Sequence, residues 1–287
     1  MNMNELTPPT WSDVTYGPHA RNTYDFWQAH GEHAPIFVFI HGGGWTFGDK
    51  QQHFPAPLLD DCLAAGLAVA SVNYRYSTMA PLPAPIADAA RAIQHIRHNA
   101  GRYRIDPVRL ATYGVSAGAC TSFNLALGPD FADPSSADPV SRESSRPLCA
   151  GGRDGQTAID PVLLRAWLGD DILQHRMPNL AVGEPTAESM LAHYPQHQAM
   201  LQRFSPFLQV DPATAVPIFL EYTSRAGKAL MLPAAAGGVA IHHSAMGLQL
   251  KAKMDALDLE CHLYMHPQGG ENRRPFLHFL KTKMTPD

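Results

Sequence analysis

The 287 residues are 45% hydrophobic and 17% charged, enough apolar surface for a large core and too much for a disordered tail or a disulfide-stapled miniprotein. Lys and Arg total 22 against 26 Asp and Glu, a formal charge of −4 with no basic stripe to track phosphates, so no nucleic-acid partner is expected. No apolar run approaches the ~18 residues of a membrane span, and residues 1–10 lack the basic start and apolar stretch of a secretory leader, which predicts a cytoplasmic protein without membrane contact.

In chain order, residues 36–40 (IFVFI) form an unbroken β-branched and aromatic run, the pattern of a strand buried on both faces. Residues 67–72 repeat it. Ile86, Ala89, Ile93, Ile96 and Ala100 then recur at steps of three and four, one apolar stripe on a helix beginning near Pro85. Residues 110–113 read as a short strand and residues 119–127 as a helix of small side chains. Residues 128–210 break the rhythm with Asp, Pro and Ser clusters and are expected to form an insertion or cap, although residues 148–151 have strand character. The alternation resumes with a strand at 216–222, a helix marked by Met246, Leu250, Met254 and Leu257 with Ser244 as its N-cap, a strand at 260–265 and a helix marked by Phe276, Phe279, Leu280 and Met284. Strands alternating with helices predict a doubly wound, mostly parallel α/β sheet in a single domain spanning 1–287. Cys62, Cys120, Cys149 and Cys261 lack disulfide or zinc spacing and read as reduced, buried thiols.

Two segments carry chemistry. Gly114-Val115-Ser116-Ala117-Gly118 lies between a strand and a helix, the context of a G-x-S-x-G elbow, in which glycines let helix and strand pass closely around a strained serine. His41-Gly42-Gly43-Gly44-Trp45 ends the strand at 36–40 with bare backbone N–H groups that can approach a developing oxyanion. A phosphate loop fits poorly, because Asp49 stands where Lys is required and Lys50 is followed by Gln51; a dinucleotide fingerprint fails at Phe47.

From about Tyr24 to Lys283 the chain resembles the bacterial HGGGW-type esterases of the α/β-hydrolase fold, close to hormone-sensitive-lipase-like and feruloyl-esterase-like enzymes. The resemblance rests on residues 41–45 with Gly48-Asp49-Lys50, Asn73-Tyr74-Arg75, the helix at 88–97, the elbow at 114–118 and residues 257–263. It implies a serine carboxylic-ester hydrolase with a small-molecule ester substrate, Ser116 as nucleophile, and Gly42, Gly43 and Ala117 as oxyanion donors. Arg75 and Asp88 are expected to be structural.

The chain departs from that pattern at two positions. A serine needs a base, and the base needs a carboxylate. The family places its acid after the strand ending at Tyr222, where this chain reads Thr223-Ser224-Arg225-Ala226-Gly227-Lys228, and its histidine after the last strand, where Glu271 stands. His243 is the leading replacement base, ahead of His266, with His41 read as structural. Asp154, Asp160, Glu221 and Glu271 remain open as the acid. The alternative reading is a catalytically impaired hydrolase-fold protein that binds a small molecule. No cofactor is expected. A metal site is disfavoured because Pro195 interrupts His193 and His197, and no Glu follows the first of them as in zinc proteases. Trp167, Met177, Met190 and Met200 could line a pocket or fill the core. The oligomeric state is not legible in the sequence.

Overall fold

The structure, a computed structural model, describes residues 7–51, 54–223, 241–266 and 273–284. Eight strands form one sheet in the order β1-β2-β4-β3-β5-β6-β7-β8. These are β1 (Trp11–Thr15), β2 (Thr23–Trp27), β3 (Ala34–Ile40), β4 (Ala68–Val72), β5 (Ile105–Val115), β6 (Cys149–Arg153), β7 (Ile218–Tyr222) and β8 (Cys261–Met265). β1 and β2 are antiparallel, and the six strands from β4 to β8 are parallel. The doubly wound expectation holds. The two leading strands, which lack long apolar runs, were not legible in the sequence.

β3 shows why both faces must be covered. Ile36, Val38 and Ile40 enter one core, while Phe37 and Phe39 enter the other. The side-chain period of two sends alternate residues of an all-apolar strand to opposite faces. Helices α2 (Ala84–His98) and α4 (Ala117–Leu127) pack the first face, as does α10 (Ala245–Ala256), whereas α1 (Ala56–Ala64) and α11 (Arg274–Met284) close the second. The stripes read on α2, α10 and α11 are buried as expected, except that Ala100 lies beyond α2 and is half-buried, and Leu257 lies just past the end of α10 and is 39% exposed. Ser244 occupies the N-cap position of α10 without making a side-chain cap.

The segment 128–210 does not sit wholly above the sheet. β6 lies within it and pairs with both β5 and β7, so the helical insertion begins only after the sheet strand. It comprises α5 (Pro161–Leu168), α6 (Met177–Ala181), α7 (Ala187–Ala192), α8 (Tyr194–Arg203) and α9 (Pro206–Gln209), with α3 (Ala100–Tyr103) preceding β5. Leu164, Leu168, Met190 and Leu201 merge it with the first core, and Trp167 packs edge-on against Phe207. Pro195 stands in the first turn of α8, where its missing N–H costs no helix bond.

His193 and His197 both converge on Glu184, at 3.0 and 2.7 Å. Among the described residues no group of three or more His, Cys, Asp or Glu is arranged to hold a metal, and no helix is long and apolar enough to cross a membrane. The hydrogen bond from His197, with Ser189 and His193 adding to it, holds the Glu184 carboxyl down at about 2. A depressed carboxylate stabilises the fold above its unfolded-state pKa and loses that contribution as pH falls through the folded value. Wild type should therefore lose a thermal-stability increment between about pH 4.5 and pH 2 that Glu184→Gln lacks; parallel melting curves for the two proteins would contradict this.

Candidate active site

The parallel strands end at one level. Ile40 pairs with Gly114, Val115 with Arg153, Arg153 with Glu221, and Tyr222 with Met265. The residues that follow, His41-Gly42, Ser116, Asp154 and Thr223, therefore gather at the carboxyl edge, where open α/β sheets bind ligands.

Ser116 has φ 54° and ψ −121°, a backbone conformation that only tight surroundings sustain. A Cβ on Gly118 would stand 2.0 Å from the Ile40 carbonyl oxygen, so glycine alone lets α4 cross β3 this closely. The Ser116 N–H donates to the Arg153 carbonyl at 2.9 Å, tying the elbow to β6. Gly43 has φ +101°, and a Cβ there would meet the Phe47 carbonyl oxygen at 2.1 Å. That turn is braced on several sides. The Tyr74 hydroxyl donates to the carbonyls of His41 and Gly42, Arg21 and the Tyr76 hydroxyl donate to the Gly48 carbonyl, and buried Trp45 donates from Nε1 to Thr121 on α4. Gly42, Gly43 and Ser116 line one cavity of about 660 Å³. Ala117 opens α4, and first-turn N–H groups have no acceptor within their own helix.

The imidazole against the serine is His242, with Nε2 2.8 Å from Ser116 Oγ. His243, the expected base, does not occupy this place. Its Nδ1 accepts the Ala245 N–H at 3.0 Å, and its ring is buried at the start of α10. The two rings diverge because one residue caps the helix while its neighbour, still in the preceding turn, faces the cavity. Sequence reasoning pointed to this loop and to His243, but the structure brings its neighbour His242 to the serine hydroxyl; the cue it missed was that a ring two residues ahead of the first helical N–H can accept from it. With its proton on Nδ1, the His242 ring accepts from the serine hydroxyl through Nε2.

Residues following β6 hold His242 in place. Fully buried Gln156 donates from Nε2 to the Ile241 carbonyl at 2.8 Å, and the Thr157 hydroxyl donates to the Met246 carbonyl at 2.7 Å. Asp154 is the one carboxylate among the described residues lining the cavity, and it accepts from the Thr223 N–H and hydroxyl.

The other candidates lie elsewhere. Asp160 caps α5 and accepts from the Tyr194 hydroxyl. His266 is bound to Glu221 at 3.0 Å, and Glu221 also accepts from the Tyr113 hydroxyl; the three line a separate small cavity with Pro55, Leu58 and Phe276. Burial pushes the Glu221 carboxyl up, and the bonds from His266 and Tyr113 oppose the shift. Glu271 lies outside the described residues. His41 stacks on Tyr74, and Arg75 pairs with Asp88 through two guanidinium nitrogens, both structural as expected. Of the insertion residues singled out, Met177 lines the cavity, whereas Met190 is core. His175, which the sequence did not flag, lines it too; burial first, and the nearby His242 second, hold its imidazole below the usual histidine value.

Solved structures share this architecture along the whole chain. A truncated carbohydrate esterase from gut microbiota superposes with a TM-score of 0.74 at 18% identity, covering 100% of this chain and 99% of that one. An acetyl ester-xyloside bifunctional hydrolase from Caldicellulosiruptor lactoaceticus gives 0.69 at 19% identity over 96% and 93%. The chain has the α/β-hydrolase fold. Within that fold, residues 26–139 match the family model BD-FAE. Esterase LipQ of Mycobacterium tuberculosis is 37% identical over 113 residues, covering 38% of this chain and 27% of the relative. Carboxylesterase NlhH of the same species is 36% identical over 104 residues, covering 36% and 32%. The chain thus spans about a third or less of the length of these curated relatives.

Gln156→Leu should remove the donor to the Ile241 carbonyl and destabilise the protein by roughly 1–3 kcal/mol, measured by urea unfolding, because a buried acceptor is left unmatched. Stability within about 0.5 kcal/mol of wild type would show that the clamp carries no weight.

Proposed function

We propose that the protein is a serine ester hydrolase acting on a small-molecule ester, with Ser116 as nucleophile and His242 as base. The observation that carries this reading is the 2.8 Å approach of His242 Nε2 to Ser116 Oγ inside a cavity at the carboxyl ends of the strands. In the proposed cycle Ser116 Oγ bonds to the ester carbonyl carbon while its proton passes to His242 Nε2. The N–H groups of Gly42, Gly43 and Ala117 receive the resulting oxyanion. As the tetrahedral species collapses, the carbon–alkoxy bond breaks and His242 returns the proton to the departing alcohol. Water, deprotonated by His242, then cleaves the acyl-serine, releases the carboxylic acid and restores the hydroxyl. Asp154 is the proposed acid, supported by its place in the cavity and by the absence of another carboxylate lining it among the described residues.

The binding-protein reading drew on the missing family acid and histidine. An imidazole on the serine hydroxyl removes much of that motive.

Fluorophosphonate labelling and p-nitrophenyl acetate hydrolysis test the proposal. Ser116→Ala and His242→Gln should each lose at least about 10³-fold in kcat/KM, and Asp154→Asn should lose less. His243→Asn, whose side-chain oxygen can accept the same Ala245 N–H, should stay within about threefold of wild type. Loss on changing His243 with retention on changing His242 would reverse the assignment, and a wild type that neither labels nor hydrolyses would favour a binding protein.

A further inference from the structure

Part of the cavity wall is supplied by three consecutive insertion residues, Gln174, His175 and Arg176. Gln174 donates to Asp171 at 3.3 Å, so its amide is partly engaged within the insertion. His175 Nδ1 accepts the Met177 N–H at 3.2 Å, which puts the proton of the neutral ring on Nε2 and makes that nitrogen a donor. Arg176 is exposed, and no carboxylate pairs with its guanidinium among the described residues. Its neighbour in the insertion, Arg165, is by contrast bound to Asp170 at 2.6 Å. An arginine has five donors and no acceptor, and its planar fork matches a carboxylate.

The rest of the lining sharpens the asymmetry. Asp154, the acidic group there, is already engaged by two donors from Thr223. Arg153 borders the cavity as well, and it also lines the small cavity that holds Glu221, whose carboxyl its charge favours. The chain carries a formal charge of −4, yet this segment contributes a cation and a neutral donor to the cavity that Ser116 also lines. Phe47, Val115 and Leu180 give the same cavity an apolar lining.

We infer that the ester substrate carries a carboxylate, received by Arg176 and the Nε2–H of His175 while the ester carbonyl lies at Ser116. The inference rests on the ester-hydrolase reading above and names its substrate class.

The test compares anionic and neutral near-isosteres on both sides of the ester. For the acyl side the pair is mono-p-nitrophenyl succinate and p-nitrophenyl 4-methylpentanoate; for the alcohol side it is 4-acetoxybenzoate and 4-isopropylphenyl acetate. The anionic-to-neutral ratio of kcat/KM is measured in wild type and in Arg176→Gln, so that intrinsic reactivity cancels. In at least one pair the ratio should fall about tenfold in the variant, equivalent to 1.4 kcal/mol, chiefly through KM. Arg176→Lys should recover part of it, and 0.5 M salt should diminish it in wild type. Ratios that agree within twofold between wild type and Arg176→Gln in both pairs overturn this inference alone, provided that wild type hydrolyses the neutral esters through Ser116. A wild type inert towards all four esters, or a Ser116→Ala variant as active as wild type, overturns the parent reading and this inference with it.

Discussion

Everything at the carboxyl edge depends on how closely α4 passes over β3. The backbone of Gly118 lies against the Ile40 carbonyl with no room for a methyl group, and this contact sets Ser116 at a positive φ with its side chain lifted off the sheet. A larger residue would push α4 outward. The serine, the first-turn N–H of Ala117 and the glycine turn after β3 would then no longer share one cavity. Trp45 closes the arrangement from the other direction, since its buried indole joins that turn to Thr121 of α4. The two glycine motifs thus act as one rigid unit.

The strand ends do the remaining positioning. β6 is pivotal, because its last carbonyl accepts the Ser116 N–H and the residues just beyond it supply both Asp154 and the Gln156 amide that fixes the turn bearing His242. A hydrogen-bonded backbone segment is a stiffer support than a free loop, and a proton-transfer pair needs heavy atoms held at about 2.6–3.2 Å. Lower in the sheet, Tyr113, Glu221 and His266 form a buried chain of hydrogen bonds. It links β5, β7 and the end of β8, satisfying polar groups that would otherwise be costly to bury.

Much of this was legible in the residues. The all-apolar run at 36–40, the helical stripe through Ile86 and Ile96 and the elbow around Ser116 each encode local geometry directly, and each lies where its pattern placed it. Two features were hidden for separate reasons. β1 and β2 pair antiparallel at one side of the sheet and have polar residues where a doubly buried strand would have apolar ones. β6, by contrast, kept strand character at 148–151 although it reads Cys-Ala-Gly-Gly-Arg, its glycines leaving room for Phe276, Phe123 and the Tyr113 ring. The choice between His242 and His243 turned on which ring caps α10, a matter of one residue in helix phase that periodicity does not resolve.

The insertion leaves the sheet and returns to it behind a knot of bonds. Ser205 on one side accepts the N–H groups of Ile159 and Asp160, and the Phe207 N–H reaches the Thr157 carbonyl. Between these ties Leu164, Leu168, Met190 and Leu201 are buried in the first core, so only the exposed positions of the insertion can vary without disturbing the packing. The exposed positions of the cavity wall, Gln174 and Arg176 among them, are therefore where such a scaffold can acquire new preferences, while its buried positions keep it seated on the sheet.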